Sequence, residues 1–506
     1  MTRINILFGG QAGTGPNILT HILANVLVKL GFYVFYSRDY ESLIRGGHNF
    51  NTLTFSNEPV SSNDSSIDII VALDERTIEQ HKNKVQNNGI IIYPEKGKGN
   101  MYYAGKLFKA LSLDFKDLDK ELEELEKNYA ENLEEAKKGY LKEKTNITCL
   151  DFFRKNKIKS NEKEFMNGSQ GIAIGALKSG LDIYYAYPMT PATPVLFELG
   201  QMQLDENYKH KVVELENEIA VANAGVGSCI VGKRVMVGTS GGGFDLMTET
   251  LSLCGIAEIP LVFYLSQRPG PATGVATYTA QGDLNLALNA GHGEFQRIVL
   301  APGDAEECQG LTNQAFYLSQ KFQNPSIILS DKHLGESFYT LEEEPKLKKI
   351  ESLTKMKRFN SYEVDENGSS TENSEIIKKN VIERMKKGLN IETESKNFEQ
   401  YKIYGKKNSK NVVVSWGSTK GAIIDAIKEL DCKFIQVLYM SPFPEEVSKE
   451  LKGNLILVEN NSAGQLGELI QEKLLIEIPD KNKILRFDGR PFFADELKKE
   501  IGERLK

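Results

Sequence analysis

The hydrophobic pattern divides the chain into short, nearly continuous apolar runs separated by longer segments of helical period. Apolar runs at 4–8, 33–37, 50–55, 67–73 and 89–93 predict the buried strands of a first, Rossmann-like domain. A second set, at 183–187, 212–215, 234–238, 261–265 and 326–330, alternates with helical segments and predicts a doubly wound α/β domain. A third set, at 411–415, 434–438 and 455–459, predicts another α/β domain. Between the first two sets, residues 104–144 carry apolar positions at helical spacing with Glu and Lys between them. That spacing predicts a solvated helical face packed on the first domain. Residues 146–164 read as a polar connector, and 341–399 as a charged linker with a surface helix. The pattern therefore predicts a multidomain α/β protein with boundaries at 1–155, 165–340, 341–400 and 401–506.

Four polar signals interrupt the second set, each directly after a predicted strand. They are Tyr187-Pro188-Met189-Thr190-Pro191, Glu214-Leu215-Glu216-Asn217-Glu218, Thr239-Ser240-Gly241-Gly242-Gly243, and the run from Gln267-Arg268 through Pro269-Gly270-Pro271-Ala272-Thr273-Gly274. In an open α/β sheet a ligand sits beyond the carboxyl ends of the strands, so four signals in that location predict one site. Two glycine-rich features lie outside it. Residues 9–15 form a strand-to-helix turn whose amides could approach an anion, although its spacing fits neither a dinucleotide fingerprint nor a P-loop, and a tight turn explains it equally well. The Gly- and Ala-rich helix at 168–180 predicts close approach to another backbone, as in a tight domain interface.

Composition narrows the function classes. A chain of 506 residues exceeds one hydrophobic core. Its net charge of −7, from 62 basic and 69 acidic residues, argues against nucleic acid or an anionic membrane as partner. No apolar run reaches the roughly 18 residues that cross a bilayer. The N-terminus reaches a Gly-rich turn too soon for a secretory signal. The five cysteines, Cys149, Cys229, Cys254, Cys308 and Cys432, form no C-x-x-C pair, which opposes a self-contained iron–sulfur or zinc site and predicts a reducing, cytoplasmic setting.

The candidate chemistry lies in the four signals. Glu218 opens a helix of small and apolar residues, where a carboxylate needs a partner or a raised pKa; a helix-start carboxylate favoured by the macrodipole is the other reading. Glu214 and Glu216 read as surface or capping residues. Arg268 begins a Pro- and Gly-rich loop, a rigid mount suited to bidentate carboxylate binding, with an exposed loop arginine as the alternative. Thr190 lies in a turn between two prolines that could present one hydroxyl or serve structure alone. His48 and His292 read as solvated loop histidines without a role.

Together these motifs resemble the 2-oxoacid:ferredoxin oxidoreductases, thiamine diphosphate enzymes that oxidatively decarboxylate 2-oxoacids with coenzyme A. The resemblance covers nearly the whole chain. Residues 9–93 and the helical region after them resemble the family's γ subunit, with Gly10-Gln11, Arg45-Gly46-Gly47 and the strand after His48 as marks. Residues 168–330 resemble the α subunit's pyrimidine-binding domain. Those from 411 on resemble its transketolase C-terminal-type domain, ending in Gly489-Arg490-Pro491-Phe492. The order γ then α resembles that of fused large subunits, common among 2-oxoglutarate and broad-specificity members.

Residue by residue, Tyr187-Pro188-Met189-Thr190-Pro191 is similar to the family's Tyr-Pro-Ile-Thr-Pro, with Met for Ile. The resemblance implies that Pro188 lies at the cofactor and that Thr190 faces substrate and cofactor. Glu218 matches the glutamate that bonds the cofactor's pyrimidine N1′. The run Thr239-Ser240-Gly241-Gly242-Gly243-Phe244 is similar to Thr-Ser-Gly-Pro-Gly-Phe, with Gly242 in place of Pro, and implies cofactor contacts for Thr239, Ser240 and Gly241. Arg268 matches the arginine that grips the 2-oxoacid carboxylate, and Thr277 a nearby active-site threonine. The Gly-Asp-Gly…Asn motif that holds diphosphate and Mg²⁺ in the family is absent from this sequence, as are cluster cysteines. In the family both belong to the β subunit. The resemblance thus implies a heterodimer, or dimer of heterodimers, with a β subunit that supplies Mg²⁺ and an iron–sulfur cluster; this chain would hold no metal. It also implies ferredoxin as electron acceptor and coenzyme A as co-substrate. The substrate implied is 2-oxoglutarate first, then pyruvate or branched-chain 2-oxoacids. A non-oxidative thiamine enzyme would lack the γ-like domain, and retention of Thr190, Glu218 and Arg268 together opposes a catalytically silent assembly subunit.

Overall fold

The computed structural model describes residues 3–41, 47–125, 128–145, 163–351 and 360–505. Arg45 and Gly46 of the Arg45-Gly46-Gly47 signal, Cys149, most of the connector and positions 352–359 of the charged linker lie outside the described residues. The chain forms two compact units. One comprises residues 1–166, 337–342 and 493–497, and the other 167–336, 343–492 and 498–506.

The first unit is built on a seven-stranded sheet ordered Val85–Ile92, Ile67–Ala72, Arg3–Gln11, His48–Ser56, Tyr33–Tyr40, Phe338–Leu341, Glu164–Asn167. The pairs at one end are parallel, but His48–Ser56 runs antiparallel to both Arg3–Gln11 and Tyr33–Tyr40. The interval from Tyr40 to His48 is shorter than the dozen or so residues a parallel crossover needs, so these two strands return directly on one another. Helix Pro16–Lys29 follows the glycine-rich turn, with Gly15 left-handed and proline at its start. It buries Leu19, Ile22, Leu23, Val26 and Leu27, one helical stripe, against the sheet core. The charged region beyond it forms three helices, Asn100–Ala110, Phe115–Glu124 and Tyr129–Lys142. The first and third cross backbone on backbone: a Cβ on Gly105 would lie 1.9 Å from the Ala136 carbonyl, and one on Gly139 1.9 Å from that of Tyr102.

His48 departs from the sequence expectation. It opens a strand, is buried, and places Nε2 3.0 Å from His81 Nε2. Burial pushes both rings below the usual histidine range, His81 to about 3. Period and neighbours could not reveal this, because His81 comes from a helix 33 residues away in sequence. His292 is exposed, as its glycine neighbours suggested.

The second unit holds two sheets. The larger is ordered Tyr439–Ser441, Ile298–Leu300, Ser326–Asp331, Val262–Gln267, Val235–Thr239, Ile183–Ala186, Lys211–Glu214. All its pairings are parallel except that of Tyr439–Ser441, an edge strand lent by the C-terminal segment. The smaller sheet is ordered Tyr401–Gly405, Lys433–Val437, Asn411–Trp416, Asn454–Glu459, Lys483–Leu485. Apolar residues of both sheets belong to one continuous core, from Val237 and Leu265 to Trp416 and Leu457. Buried charge also joins them: Lys420 Nζ lies 2.7 Å from Glu307 Oε1, and Gln436 Nε2 donates to Glu307 Oε2 at 2.6 Å. The glycine-rich helix Gly168–Lys178 starts with a capping box between Asn167 and Gln170. Its glycines let it lie against helix Ala305–Phe322, where a Cβ on Gly171 would meet the Ala305 carbonyl at 2.5 Å and one on Gly175 the Gln309 carbonyl at 2.6 Å.

Candidate functional site

The larger sheet reverses direction at Ile183–Ala186. From that strand the chain moves outward to Lys211–Glu214, then returns to Val235–Thr239 on the other side. Such a reversal leaves a crevice beyond the carboxyl ends of the strands. All four polar signals leave strands on that side.

Glu218 is the first residue of helix Glu218–Ile230, whose start is capped by Asn217 Oδ1 accepting from Ala220 N at 2.9 Å. Glu214 and Glu216 are exposed, but Glu218 retains only 4 % of its surface. Its Oε1 is sealed from solvent and has no hydrogen-bond partner among the described residues. The carboxyl reaches the start of the next helix, Gly241–Ala257. A Cβ on Gly243 would come within 2.1 Å of Thr239 Oγ1 and 2.8 Å of Glu218 Oε1. Thr239 and Ser240 are buried beside it, and Ser240 Oγ is likewise without a partner. Buried polar atoms are nearly always satisfied, so two orphans at one crevice mark a place where a polar ligand completes the bonding.

The same geometry separates two neighbouring glycines. Gly242, which stands where the family pattern has proline, faces open space, whereas Gly243 has no room for a methyl group. Gly242→Ala is expected to leave activity within about twofold and to raise stability by a few tenths of a kcal/mol, since Ala is the better helix former. Gly243→Ala is expected to displace the Glu218 carboxyl and lower kcat at least about tenfold, the loss of roughly 1.4 kcal/mol of alignment. Parallel kinetics and thermal melts of the two variants check this, and equal effects would mean that Gly243 does not hold Glu218 in place.

Arg268 follows strand Val262–Gln267 and is half-buried. Its Nη1 donates to the Thr190 carbonyl at 2.6 Å, which ties the loop to the Tyr187–Pro191 turn. Burial draws its pKa below the usual value, opposed by the charge of Asp283. Thr190 is half-buried, Pro188 is exposed on the same turn, and Thr277 is buried farther along the Arg268 loop. A residue that the motifs do not single out, Asp283, joins them. Its amide donates to Gln267 Oε1 at 2.9 Å, and its carboxyl packs on Gly241, where a Cβ would lie 2.6 Å from Oδ2. Burial and the nearby Asp245 push its pKa up to about 6, while Arg268 pulls it down. Asp283, Gly241, Arg268 and Thr190 therefore form one neighbourhood, and Glu218, Gly243, Thr239 and Ser240 a second on the same helix start. In sequence Asp283 is an aspartate just before the apolar run of helix Leu284–Asn289, which reads as an ordinary N-cap. Among the described residues no group of three His, Cys, Asp or Glu side chains is placed to hold a metal ion. No helix among them is long and apolar enough to cross a membrane.

A family model described as pyruvate flavodoxin/ferredoxin oxidoreductase, thiamine diphosphate-binding, matches residues 174–402, the stretch that contains this crevice. A second, described as pyruvate ferredoxin/flavodoxin oxidoreductase, matches residues 5–133. The 2-oxoacid:ferredoxin oxidoreductase subunit alpha of Saccharolobus solfataricus is 31% identical over 99% of this chain and 97% of its own length. The chain belongs to the 2-oxoacid:ferredoxin oxidoreductases. This oxidoreductase is also similar to a 2-oxoglutarate synthase subunit of Archaeoglobus fulgidus, 34% identical over 38% of this chain and 55% of that protein. The 2-oxoglutarate:ferredoxin oxidoreductase of Magnetococcus marinus, solved with 2-oxoglutarate, coenzyme A and succinyl-CoA bound, shares the fold: the TM-score is 0.88 over 100% of both chains at 23% identity. The α/β multidomain architecture and the thiamine diphosphate cofactor follow from these matches.

Proposed function

We propose that this 2-oxoacid:ferredoxin oxidoreductase chain acts on 2-oxoglutarate, passing its acyl group to coenzyme A and its electrons to ferredoxin. In this reading it works in a complex with a β-type subunit that holds the diphosphate, Mg²⁺ and the iron–sulfur cluster. The observation that carries it is the orphaned Glu218 Oε1 at the mouth of a thiamine diphosphate-binding segment. The choice of 2-oxoglutarate is supported by the relative named 2-oxoglutarate synthase and by the substrate in the Magnetococcus marinus structure. Segments 1–155, 165–340, 341–400 and 401–506 divide the work as a γ-like domain, a pyrimidine-binding domain, a linker with its surface helix, and a transketolase C-terminal-like domain.

The residues fit a planar, hydrogen-bonding ring. Glu218 would bond the pyrimidine N1′ and hold a proton there, with Gly243 keeping the space behind it open. Thr239, Ser240 and Gly241 would line the ring, and the exposed Pro188 would close one side. When bound, thiamine diphosphate supplies the electron sink for the carbon that loses CO₂. Arg268, steadied by Thr190, would grip the 2-oxoacid carboxylate, and Thr277 would lie alongside. Asp283 keeps the Arg268 guanidinium from being an isolated buried charge.

The test is reconstitution. The chain alone is expected to be colourless, iron-free and inactive with any 2-oxoacid and a viologen acceptor. Co-produced with a β-type subunit carrying Gly-Asp-Gly and clustered cysteines, it is expected to reduce ferredoxin with 2-oxoglutarate and coenzyme A in preference to pyruvate. Iron and turnover in the chain alone would overturn the shared site, and a preference for pyruvate or branched-chain acids would overturn the substrate.

A further inference from the structure

The segment Gly489-Arg490-Pro491-Phe492 takes no part in the chemistry derived above. Within the second unit it folds back onto the loop that begins at Arg268. Thr279 N donates to the Gly489 carbonyl at 3.1 Å. Gly489 is left-handed at φ 79°, and a Cβ there would press on Tyr278 Cβ at 3.3 Å and Pro269 Cγ at 3.6 Å. Asn460 Nδ2 donates to the Arg490 carbonyl, and Arg490 N donates to Asp488 Oδ1, each at 2.9 Å. The backbone of Arg490 is thus fixed from both sides.

Its side chain is half-buried, and its guanidinium lies 3.7 Å above the Tyr278 ring. Asp488 is bonded at 3.1 Å by Arg486 Nε. Among the described residues no carboxylate pairs with Arg490. A guanidinium held over an aromatic face is attracted through its charge, and that contact does not use up its N–H donors. Their fork matches the paired oxygens of a carboxylate or phosphate. Tyr278 sits between Thr277 and Thr279 on the loop that also presents Arg268, so the C-terminal segment adds a second, pre-oriented cation to the substrate loop.

We propose that Arg490 is an anion-binding residue of this loop, and that it takes the second anionic group brought to the site. Two sources share that chemistry: the distal carboxylate of a dicarboxylic 2-oxoacid, or a phosphate of coenzyme A. The inference rests on the proposed function.

The experiment compares wild type, Arg490→Ala and Arg490→Gln, each assembled with the β-type subunit. Gln keeps most of the aliphatic stem and a neutral polar end, so it guards against a folding defect in the alanine variant. KM is measured for 2-oxoglutarate against pyruvate, and for coenzyme A against 3′-dephospho-coenzyme A. Calorimetric titration of 2-oxoglutarate and of coenzyme A gives Kd without turnover. We expect KM and Kd of one anionic ligand to rise about tenfold or more in both variants, the effect of one lost charge-assisted contact. A rise larger for 2-oxoglutarate than for pyruvate assigns the distal carboxylate. A rise larger for coenzyme A than for its dephospho form assigns the 3′-phosphate, and an equal rise for both assigns the diphosphate. If no KM or Kd moves by more than about twofold, a change of some 0.4 kcal/mol, Arg490 serves only to pin the loop. If the wild-type complex turns over no 2-oxoacid, the functional reading fails, and the titrations still decide for or against Arg490.

Discussion

Replacing Glu218 by glutamine is expected to lower kcat by about 100- to 10,000-fold, the usual contribution of a general acid–base group. In the proposed reading, glutamine keeps the shape and one hydrogen bond but has no titratable proton to share with the pyrimidine N1′. The side chain is 4 % exposed and its Oε1 has no partner among the described residues, so water cannot take over that role. Folding is expected to survive, because the amide fills the same space against Gly243 and because helix Glu218–Ile230 is capped by Asn217 rather than by Glu218. The decisive measurement is exchange of the cofactor's C2 hydrogen for deuterium in the assembled complex, read by NMR after acid quench. It should slow in step with kcat. Exchange and kcat both within about twofold of wild type, far below the acid–base range, would make Glu218 a helix-start carboxylate and nothing more.

Arg268→Ala is expected to lower kcat/KM for the 2-oxoacid roughly 30- to 1000-fold, mostly through KM. Losing a charge-assisted pair from a partly desolvated site costs about 2–4 kcal/mol. Two further losses accompany it: the bond to the Thr190 carbonyl, which ties loop to turn, and the counter-charge for Asp283. Arg268→Lys is expected to recover only part of the activity, because an ammonium cannot reach the Thr190 carbonyl and present a planar fork to substrate at once. Without Arg268 the Asp283 carboxyl loses the positive charge that opposes its burial and should titrate higher than in wild type, which a pH titration of the variant would detect. An unchanged kcat/KM in the alanine variant would remove Arg268 from the site.

How much of the fold and the site is legible in the sequence depends on the range of the interaction. Apolar runs mark the strands that carry the crevice, and the polar signal after each run marks its strand end. Thr190, Glu218, Ser240 and Arg268 can therefore be placed on one side of one sheet from alternation alone. The close-packing helix at 168–180 is legible too, because glycine spaced along a helix has few other uses. Its partner is not: it is Ala305–Phe322 of the same unit, more than 120 residues along the chain.

The sequence by itself determined the α/β class, the strand ends at which the candidate residues gather and the family to which the chain belongs, since strand, turn and motif are written in consecutive residues. Only the tertiary structure decided what those residues meet. It left Glu218 Oε1 without a partner among the described residues and made Gly243, rather than Gly242, the glycine with no room. It put Asp283 against Gly241 and within the field of Arg268, paired His48 with His81, and laid Arg490 on Tyr278 across more than 200 residues of chain. It also returned Phe338–Leu341 and residues 493–497 to the first unit. The physical reason is common to all of these. A hydrophobic period tells which face of an element is buried, but the partner on that face is chosen by the packing of the whole sheet, and short-range pattern carries no record of it.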